Sequence, residues 1–142
     1  MTPTCTQFPY TDPDTGATLT LVSGGPGTGK TQVLYEMARK GSLDTLFCST
    51  EQTVSQVLKG LGDEGDGVLV VSTPTVEDLE RELSRLPRGG LVLVDGFTNF
   101  EGTRDELVPS GTLLRRVLSK AHEYGHQLVV SIQTRRLEPS PN

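Results

Sequence analysis

Five short apolar runs alternate along the chain with segments whose apolar residues recur at helical spacing. The runs cover residues 19–23, 45–50, 67–72, 91–95 and 127–132, and each has the length and composition of a β-strand. The fourth run reads "LVLV" before Asp95 and is apolar at every position. A strand without alternation is buried on both faces, which is typical of a parallel sheet covered by helices. The pattern therefore predicts a parallel five-stranded sheet.

Four helices are predicted between and around these strands. The first spans 29–40 and the second 53–62, the third begins after Thr75 with a capping-box-like Asp78, and the fourth ends at Gly125. Their expected buried faces are Val33, Leu34, Met37 and Ala38; Val54, Val57, Leu58 and Leu61; Val76, Leu79, Leu83 and Leu86; and Leu113, Leu114, Val117, Leu118 and Ala121. This alternation predicts a single α/β domain over 1–142, with an N-terminal extension at 1–17 and a tail at 137–142.

Composition excludes some classes of protein. The 142 residues carry a formal net charge of −5, so no global basic field attracts nucleic acid, although a local basic patch is still compatible with the sequence. Cys5 and Cys48 are the two cysteines and form no disulfide framework. No run approaches the length of a membrane span, and the first residues lack the apolar centre of a signal peptide. We therefore expect a cytoplasmic protein without a membrane partner.

The loop between the first strand and the first helix carries the clearest motif. Residues 24–31 read "GGPGTGKT", which fits the phosphate-loop pattern G-x-x-x-x-G-K-[ST] in the strand–loop–helix context that this pattern requires. Backbone N–H groups and the helix N-terminus would hold phosphate oxygens, Lys30 would reach the β- and γ-phosphates, and Thr31 would ligate Mg²⁺. The alternative is a glycine-rich turn that only caps a helix. The expected nucleotide-contacting residues are Gly24, Gly25, Pro26, Gly27, Thr28, Gly29, Lys30, Thr31 and Gln32.

Polar residues at the ends of three other strands are the further candidates, because ligands of parallel sheets bind at the carboxyl ends of the strands. Asp95 is expected to orient Mg²⁺, or else only to cap a turn. Glu51 is expected to orient or deprotonate the attacking water. The alternative is that it is a glutamate at a helix N-terminus, where the helix dipole stabilises its charge. Gln133 is a candidate contact for the γ-phosphate. Arg135 and Arg136 are either solvated or contact phosphate, nucleic acid or a neighbouring subunit.

Together these segments resemble the RecA-like ATPases, nearest the branch that holds the DnaB-type replicative helicases, KaiC and RadA. The matching segments are "LTLVSGGPGTGKT", "TLFCSTEQTVSQVLKGLG", "LVLVDGF" and "AHEYGHQLVVSIQTRR", and the resemblance covers residues 15–136. It implies a three-layer P-loop NTPase fold with sheet order 3-2-4-5-1 and ATP as the nucleotide. It also implies that Glu51 is the catalytic glutamate, Asp95 the Walker-B residue and Gln133 the γ-phosphate sensor.

The family has further strands after the fifth, which cover the outer side of strand one. In this chain we expect that edge to be covered by the segment 7–10 or by another subunit, unless the chain is a reduced core. Phe8 and Tyr10 in that segment are either base-stacking or core residues. The resemblance would place DNA-contacting loops at 96–110 and 134–138.

Three functions are compatible with these residues. The first is Mg²⁺-dependent ATP hydrolysis that drives a helicase, translocase or recombination-type process on single-stranded DNA or RNA. In that case a neighbouring subunit of a ring or filament, or a protein partner, would supply an arginine, with Arg135 or Arg136 as candidates. The second is an ATP-binding switch or assembly module with little hydrolysis. The third, a small-molecule phosphotransferase, needs an acceptor site that the sequence does not indicate.

Overall fold

The computed structural model describes residues 5–25, 27–41, 44–62, 67–73, 75–97 and 107–133, with only the backbone described for 107–112. The elements alternate as the apolar pattern predicts, after one additional strand at the start. They are β1 (Thr6–Thr11), β2 (Thr18–Gly24), α1 (Lys30–Lys40), β3 (Thr45–Ser49), α2 (Val54–Leu61), β4 (Val68–Ser72), α3 (Val76–Arg85), β5 (Leu91–Asp95), α4 (Leu107–Glu123) and β6 (Gln127–Gln133). Within the described ranges, no helix has the length and apolar character needed to cross a membrane.

The strands form one six-stranded sheet in the order β1-β2-β6-β5-β3-β4. The five predicted strands correspond to β2 through β6. They pair in parallel, and their relative order is the expected 3-2-4-5-1. The prediction of a five-stranded, wholly parallel sheet is nevertheless wrong, because β1 adds a sixth strand antiparallel to β2. The chain is therefore an α/β protein with a mixed sheet.

The strand that the sequence interpretation missed, β1, occupies the edge beside β2. Its residue Pro9 has no N–H to donate, which is tolerated on an edge strand. The hairpin turn is organised by the buried Asp12, whose carboxylate accepts hydrogen bonds from Asp14 N at 3.0 Å and from Thr15 Oγ1 at 3.2 Å. The predicted strand one is β2, and its edge was expected to be covered by the segment 7–10 or by another subunit. In the structure the segment around 7–10 covers it by pairing with β2. Residues 6–11 thus belong to the sheet and are not an extension.

Two hydrophobic clusters, one on each face of the sheet, produce a three-layer arrangement. Leu34 of α1 and Val57 of α2 pack with Phe47 and Leu93 on one face. The other cluster joins α3 and α4 to alternate residues of the same strands, including Leu46, Cys48, Val92 and Val94. Because successive residues of a strand point to opposite faces, strands that are apolar at every position feed both clusters.

The expected buried face of α3 is confirmed, and so is that of α4 except for Leu113, which is only partly buried. The expected face of α2 is half correct. Val57 and Leu61 are buried, but Val54 and Leu58 are 38% and 49% exposed. The helix lies against the edge strand β4, so part of its apolar stripe extends beyond the sheet.

The N-terminus of α3 gives a stability prediction. Thr75 Oγ1 accepts a hydrogen bond from Asp78 N at 3.1 Å, which satisfies one of the free amide groups of the first turn. We expect Thr75→Ala to lower the free energy of unfolding by about 1 kcal/mol. Urea unfolding of the variant measures this loss. Ser84→Ala on the same helix is the control, since its hydroxyl only contacts the carbonyl of Arg81 and its removal should not destabilise.

Candidate active site

A cleft of about 300 Å³ opens where β2, β3, β5 and β6 end and α1 begins. Strand ends meet here because the four strands are parallel and adjacent. Nine of the residues that line this cleft are ones that the sequence singled out, and the other two are Gly96 and Ser131. The lining residues are Gly27, Thr28, Gly29, Lys30, Thr31, Gln32, Glu51, Asp95, Gly96, Ser131 and Gln133.

The first helix presents an N-terminus suited to an anion. Its N-cap residue, Gly29, has a φ of +88°, a left-handed conformation that a side chain would strain. No described side chain caps this end, and the first turn contains no acidic residue. The first amide groups of α1 therefore point their partial positive charge at the cleft, which is the arrangement that binds phosphate.

The loop before α1 is held in a fixed shape by contacts at both of its sides. Thr28 Oγ1 donates to Gly25 O at 2.8 Å, and Cys5 N, just before β1, donates to Thr28 O at 3.1 Å. A Cβ atom at Gly24 would collide with Thr28 Oγ1, so a side chain at the start of the loop would displace this hydroxyl from its bond to Gly25. These contacts define the conformation of the described loop residues.

Lys30 supplies a positive charge to the cleft. Its Nζ donates to the carbonyl oxygens of Gly24 and Gly25, each at 2.8 Å. An ammonium group with three donors that is held by neutral carbonyls can exchange one of them for a phosphate oxygen, which is a stronger, charge-assisted acceptor.

Asp95 lies at the base of the cleft and is 2% exposed. Its carboxylate accepts hydrogen bonds from Thr31 Oγ1 at 3.2 Å and from Ser131 Oγ at 3.1 Å. Burial, and to a lesser extent the nearby charge of Glu51, raises the pKa of Asp95 above its ordinary range, against the opposing effect of Ser131. A cation bound here would offset that unfavourable environment.

The donors around Asp95 suit magnesium. A carboxylate and the Thr31 hydroxyl are hard oxygen ligands, and Mg²⁺ is commonly held by one or two carboxylates with the remaining positions on phosphate and water. Among the residues that the structure describes, no cluster of three or more His, Cys, Asp or Glu side chains forms a site for a metal on its own. The residues present therefore fit an ion that arrives with a phosphate ligand.

Glu51 lies in a turn directly after β3 and faces the same cleft as Lys30. The turn is tied to the end of β5, because Thr50 Oγ1 donates to Gly96 O at 2.7 Å and Thr50 N donates to Asp95 O at 3.2 Å. Gln133 reaches the cleft from β6, where it is paired in register with Gly24. The tertiary structure thus brings these two candidates to the same cleft as the glycine-rich loop, as expected.

Three hydroxyl residues of the site were missed by the sequence interpretation. Ser131 is fully buried and links Gly96 N, at 2.8 Å, to the Asp95 carboxylate, while Thr50 and Ser49 hold the turn that carries Glu51. The available signal was a hydroxyl residue near the end of an otherwise apolar strand.

Several other candidates have different outcomes. Pro26, Arg135 and Arg136 lie outside the described residues, as do 98–106 and 134–138 of the two expected loops. The expectation that the first loop extends to 110 is wrong, because α4 already begins at Leu107. Tyr10 packs against the core, whereas Phe8 is 40% exposed.

The burial of Asp95 gives a prediction about stability without ligand. A carboxyl whose pKa is raised by folding contributes stability below its unfolded pKa and loses it as the pH rises through the folded pKa. We therefore expect Asp95→Asn to raise the free energy of unfolding at pH 7 by on the order of 1 kcal/mol. The gain should shrink near pH ~4, where the wild-type carboxyl is increasingly protonated.

Urea unfolding at both pH values, without Mg²⁺ or nucleotide, measures this difference. Asp44→Asn, at an exposed carboxyl, is the control and should change little. A less stable Asp95→Asn variant at neutral pH would mean that the hydrogen bonds from Thr31 and Ser131 outweigh the cost of burying the charge.

Comparison with known proteins yields no matching family model and no matching curated protein. Function is therefore inferred from the residues of the cleft and from the motifs that surround it.

Proposed function

We propose that this protein is a Mg²⁺-dependent nucleoside triphosphatase of the RecA-like P-loop type, with ATP as its substrate. The observation that carries the proposal is the convergence of four features in one cleft: an uncapped helix N-terminus, Lys30, the Thr31–Asp95 pair and Glu51. ATP, rather than another triphosphate, follows from the resemblance to the RecA-like branch.

In the bound state, the amides of the loop and of the first turn of α1 would hold the phosphate chain. Lys30 would move its hydrogen bonds from the Gly24 and Gly25 carbonyls to phosphate oxygens. Thr31 and Asp95 would hold Mg²⁺, which supplies charge neutralisation and orientation of the phosphates. The Mg²⁺ ion that accompanies the triphosphate would place positive charge beside the buried Asp95 and stabilise its ionised form.

Hydrolysis would proceed by in-line attack of water on the γ-phosphorus. Glu51 would accept a proton from that water as the new P–O bond forms and the bond to the β–γ bridging oxygen breaks. Lys30 and the loop amides would stabilise the negative charge that develops on the leaving group. Gln133 would hydrogen-bond the γ-phosphate or the water from the neighbouring strand.

From the resemblance alone, we propose that hydrolysis drives a process on single-stranded nucleic acid. The net charge of −5 gives no general attraction to a polyanion, so contact would have to be local. Stimulation by single-stranded DNA or RNA therefore tests this part separately from the chemistry.

Steady-state phosphate release from ATP, with Mg²⁺ or with a chelator, tests the proposal. Parallel reactions contain GTP in place of ATP, and single-stranded DNA or RNA as an addition. A Lys30→Ala protein purified in the same way controls for contaminating phosphatases. Turnover that requires Mg²⁺ and Lys30 supports the proposal, whereas binding of ATP without turnover in every condition favours a switch or assembly module. A protein that binds no triphosphate overturns both.

A further inference from the structure

We propose that Tyr35 and Gln52 are positioning residues for the hydrolytic step. Their hydrogen bond ties the turn that carries Glu51 to α1, the helix that carries Lys30 and Thr31. The inference rests on the proposed function, because it concerns how the groups for phosphate binding and for water activation are kept in register.

The hydrogen bond joins two elements that are far apart in sequence. Tyr35 Oη donates to Gln52 Oε1 at 2.7 Å, and Gln52 directly follows Glu51. Burial first, and the charge of Asp95 second, raises the pKa of Tyr35, so the phenol stays protonated and remains a donor. Neither residue lines the cleft, so each would act through Glu51 and not on substrate.

The backbone of the turn is held at two further points. Ser49 Oγ accepts hydrogen bonds from Glu51 N at 3.2 Å and from Gln52 N at 2.9 Å. Thr50 Oγ1 donates to the carbonyl of Asp95, the last residue of β5, and to that of Gly96. These contacts fix the turn against β3 and β5, and the Tyr35–Gln52 bond fixes it against α1.

Tyr35 is itself rigidly placed. It is 3% exposed, and its ring lies 5.3 Å from that of Phe47, centroid to centroid. A Cβ atom at Gly60 would come within 2.5 Å of the Tyr35 ring, so the absence of a side chain there allows α2 to pack against it. Arg39, which lies over the same ring, donates to Gly60 O at 2.7 Å and to Leu61 O at 3.1 Å.

The segment from Glu51 to the end of α2 is therefore attached to α1 at both ends. Tyr35 holds its start and Arg39 holds its end, one helical turn apart on α1. A displacement of α1 when phosphate binds would be transmitted to the Glu51 turn through the Tyr35 hydroxyl. Catalytic rates are sensitive to such placement, since a shift of about 1 Å can cost roughly 100-fold.

The test compares Tyr35→Phe, Gln52→Met and the double variant in single-turnover hydrolysis of Mg²⁺–ATP, with nucleotide affinity measured separately. We expect each single change to lower the hydrolysis rate by about tenfold with unchanged affinity. The double variant should be no slower than the slower single variant, because both changes remove the same bond. Tyr124→Phe, which removes a phenol on the opposite face of the sheet, is the matched control and should keep the wild-type rate.

Gly60→Ala provides an independent perturbation, because its methyl group would displace the Tyr35 ring without altering either bonding group. It should also slow hydrolysis at constant affinity.

A merely structural role would lower the melting temperature of the variants and leave the rate of the folded protein unchanged, which would overturn the inference. Multiplied effects in the double variant would also overturn it. If wild type hydrolyses ATP and the variants match it, the inference alone fails, whereas absence of wild-type turnover overturns the proposed function as well.

Discussion

Replacing Lys30 with alanine is expected to weaken binding of Mg²⁺–ATP by about 100-fold and to bring hydrolysis below detection. The side chain carries the positive charge of the proposed phosphate loop, and its Nζ lies 2.8 Å from two loop carbonyls, one of which it would exchange for a phosphate oxygen. The loss has a second effect, because the charge of Lys30 lowers the pKa of Asp95. Without it, the carboxylate that would hold Mg²⁺ is easier to protonate.

Isothermal titration with Mg²⁺–ATP, together with phosphate release, measures both effects. Lys40→Ala is a matched control at the other end of α1, where the side chain is 78% exposed and pairs with Glu36. It removes the same charge from the same helix and should leave affinity and turnover unchanged. If Lys30→Ala bound Mg²⁺–ATP as tightly as wild type, the assignment of residues 24–31 as a phosphate loop would be wrong.

Replacing Glu51 with glutamine is expected to lower the hydrolysis rate by about 100- to 1,000-fold while Mg²⁺–ATP binding is retained. Glutamine keeps the size and the hydrogen-bonding reach of the side chain but cannot accept the proton of the attacking water. Affinity should be maintained or improved, because the charge of Glu51 raises the pKa of Asp95 and its removal favours the ionised carboxylate. The hydrolysis rate should therefore fall without a loss of affinity in this variant, whereas both should fall in Lys30→Ala.

Single-turnover hydrolysis and equilibrium binding distinguish these outcomes. Glu36→Gln on α1, an exposed carboxylate that pairs with Arg39 and Lys40, is the control for the loss of one negative charge. A Glu51→Gln protein that hydrolyses ATP at the wild-type rate would mean that the general base is another residue. Equal losses in rate and affinity would instead indicate that Glu51 contributes to binding.

The predicted elements agree with the structure where the sequence signal is local. The apolar run before Asp95 is β5, and the cap at Thr75 starts α3, because strand burial and helix capping depend on residues within a few positions of one another. The edge strand β1 was missed, since an exposed six-residue segment containing Pro9 has neither a buried pattern nor a full set of N–H donors. Its pairing depends on the open side of β2, which is a property of the sheet as a whole.

The candidate site also has a part that local sequence predicts and a part that depends on the tertiary structure. Residues 24–31 are contiguous, so their motif and their position between a strand and a helix determine a phosphate-loop prediction from sequence alone. Asp95, Glu51 and Gln133 were identified as strand-end residues, but their proximity depends on the order of parallel strands, which local pattern does not encode. Ser131 and the Tyr35–Gln52 bond were not foreseen.

The sequence by itself determined an α/β chain with a glycine-rich loop and a lysine at the start of a helix, because periodicity and motif spacing act over short distances. Only the tertiary structure decided that Ser131 supports Asp95 and that Tyr35 holds the residue next to Glu51. These contacts join residues that are 36 and 17 positions apart. The first depends on the pairing of β5 with β6, and the second on the packing of α1 against the sheet. In both cases the hydroxyl meets its acceptor only after the two parts of the chain are in place.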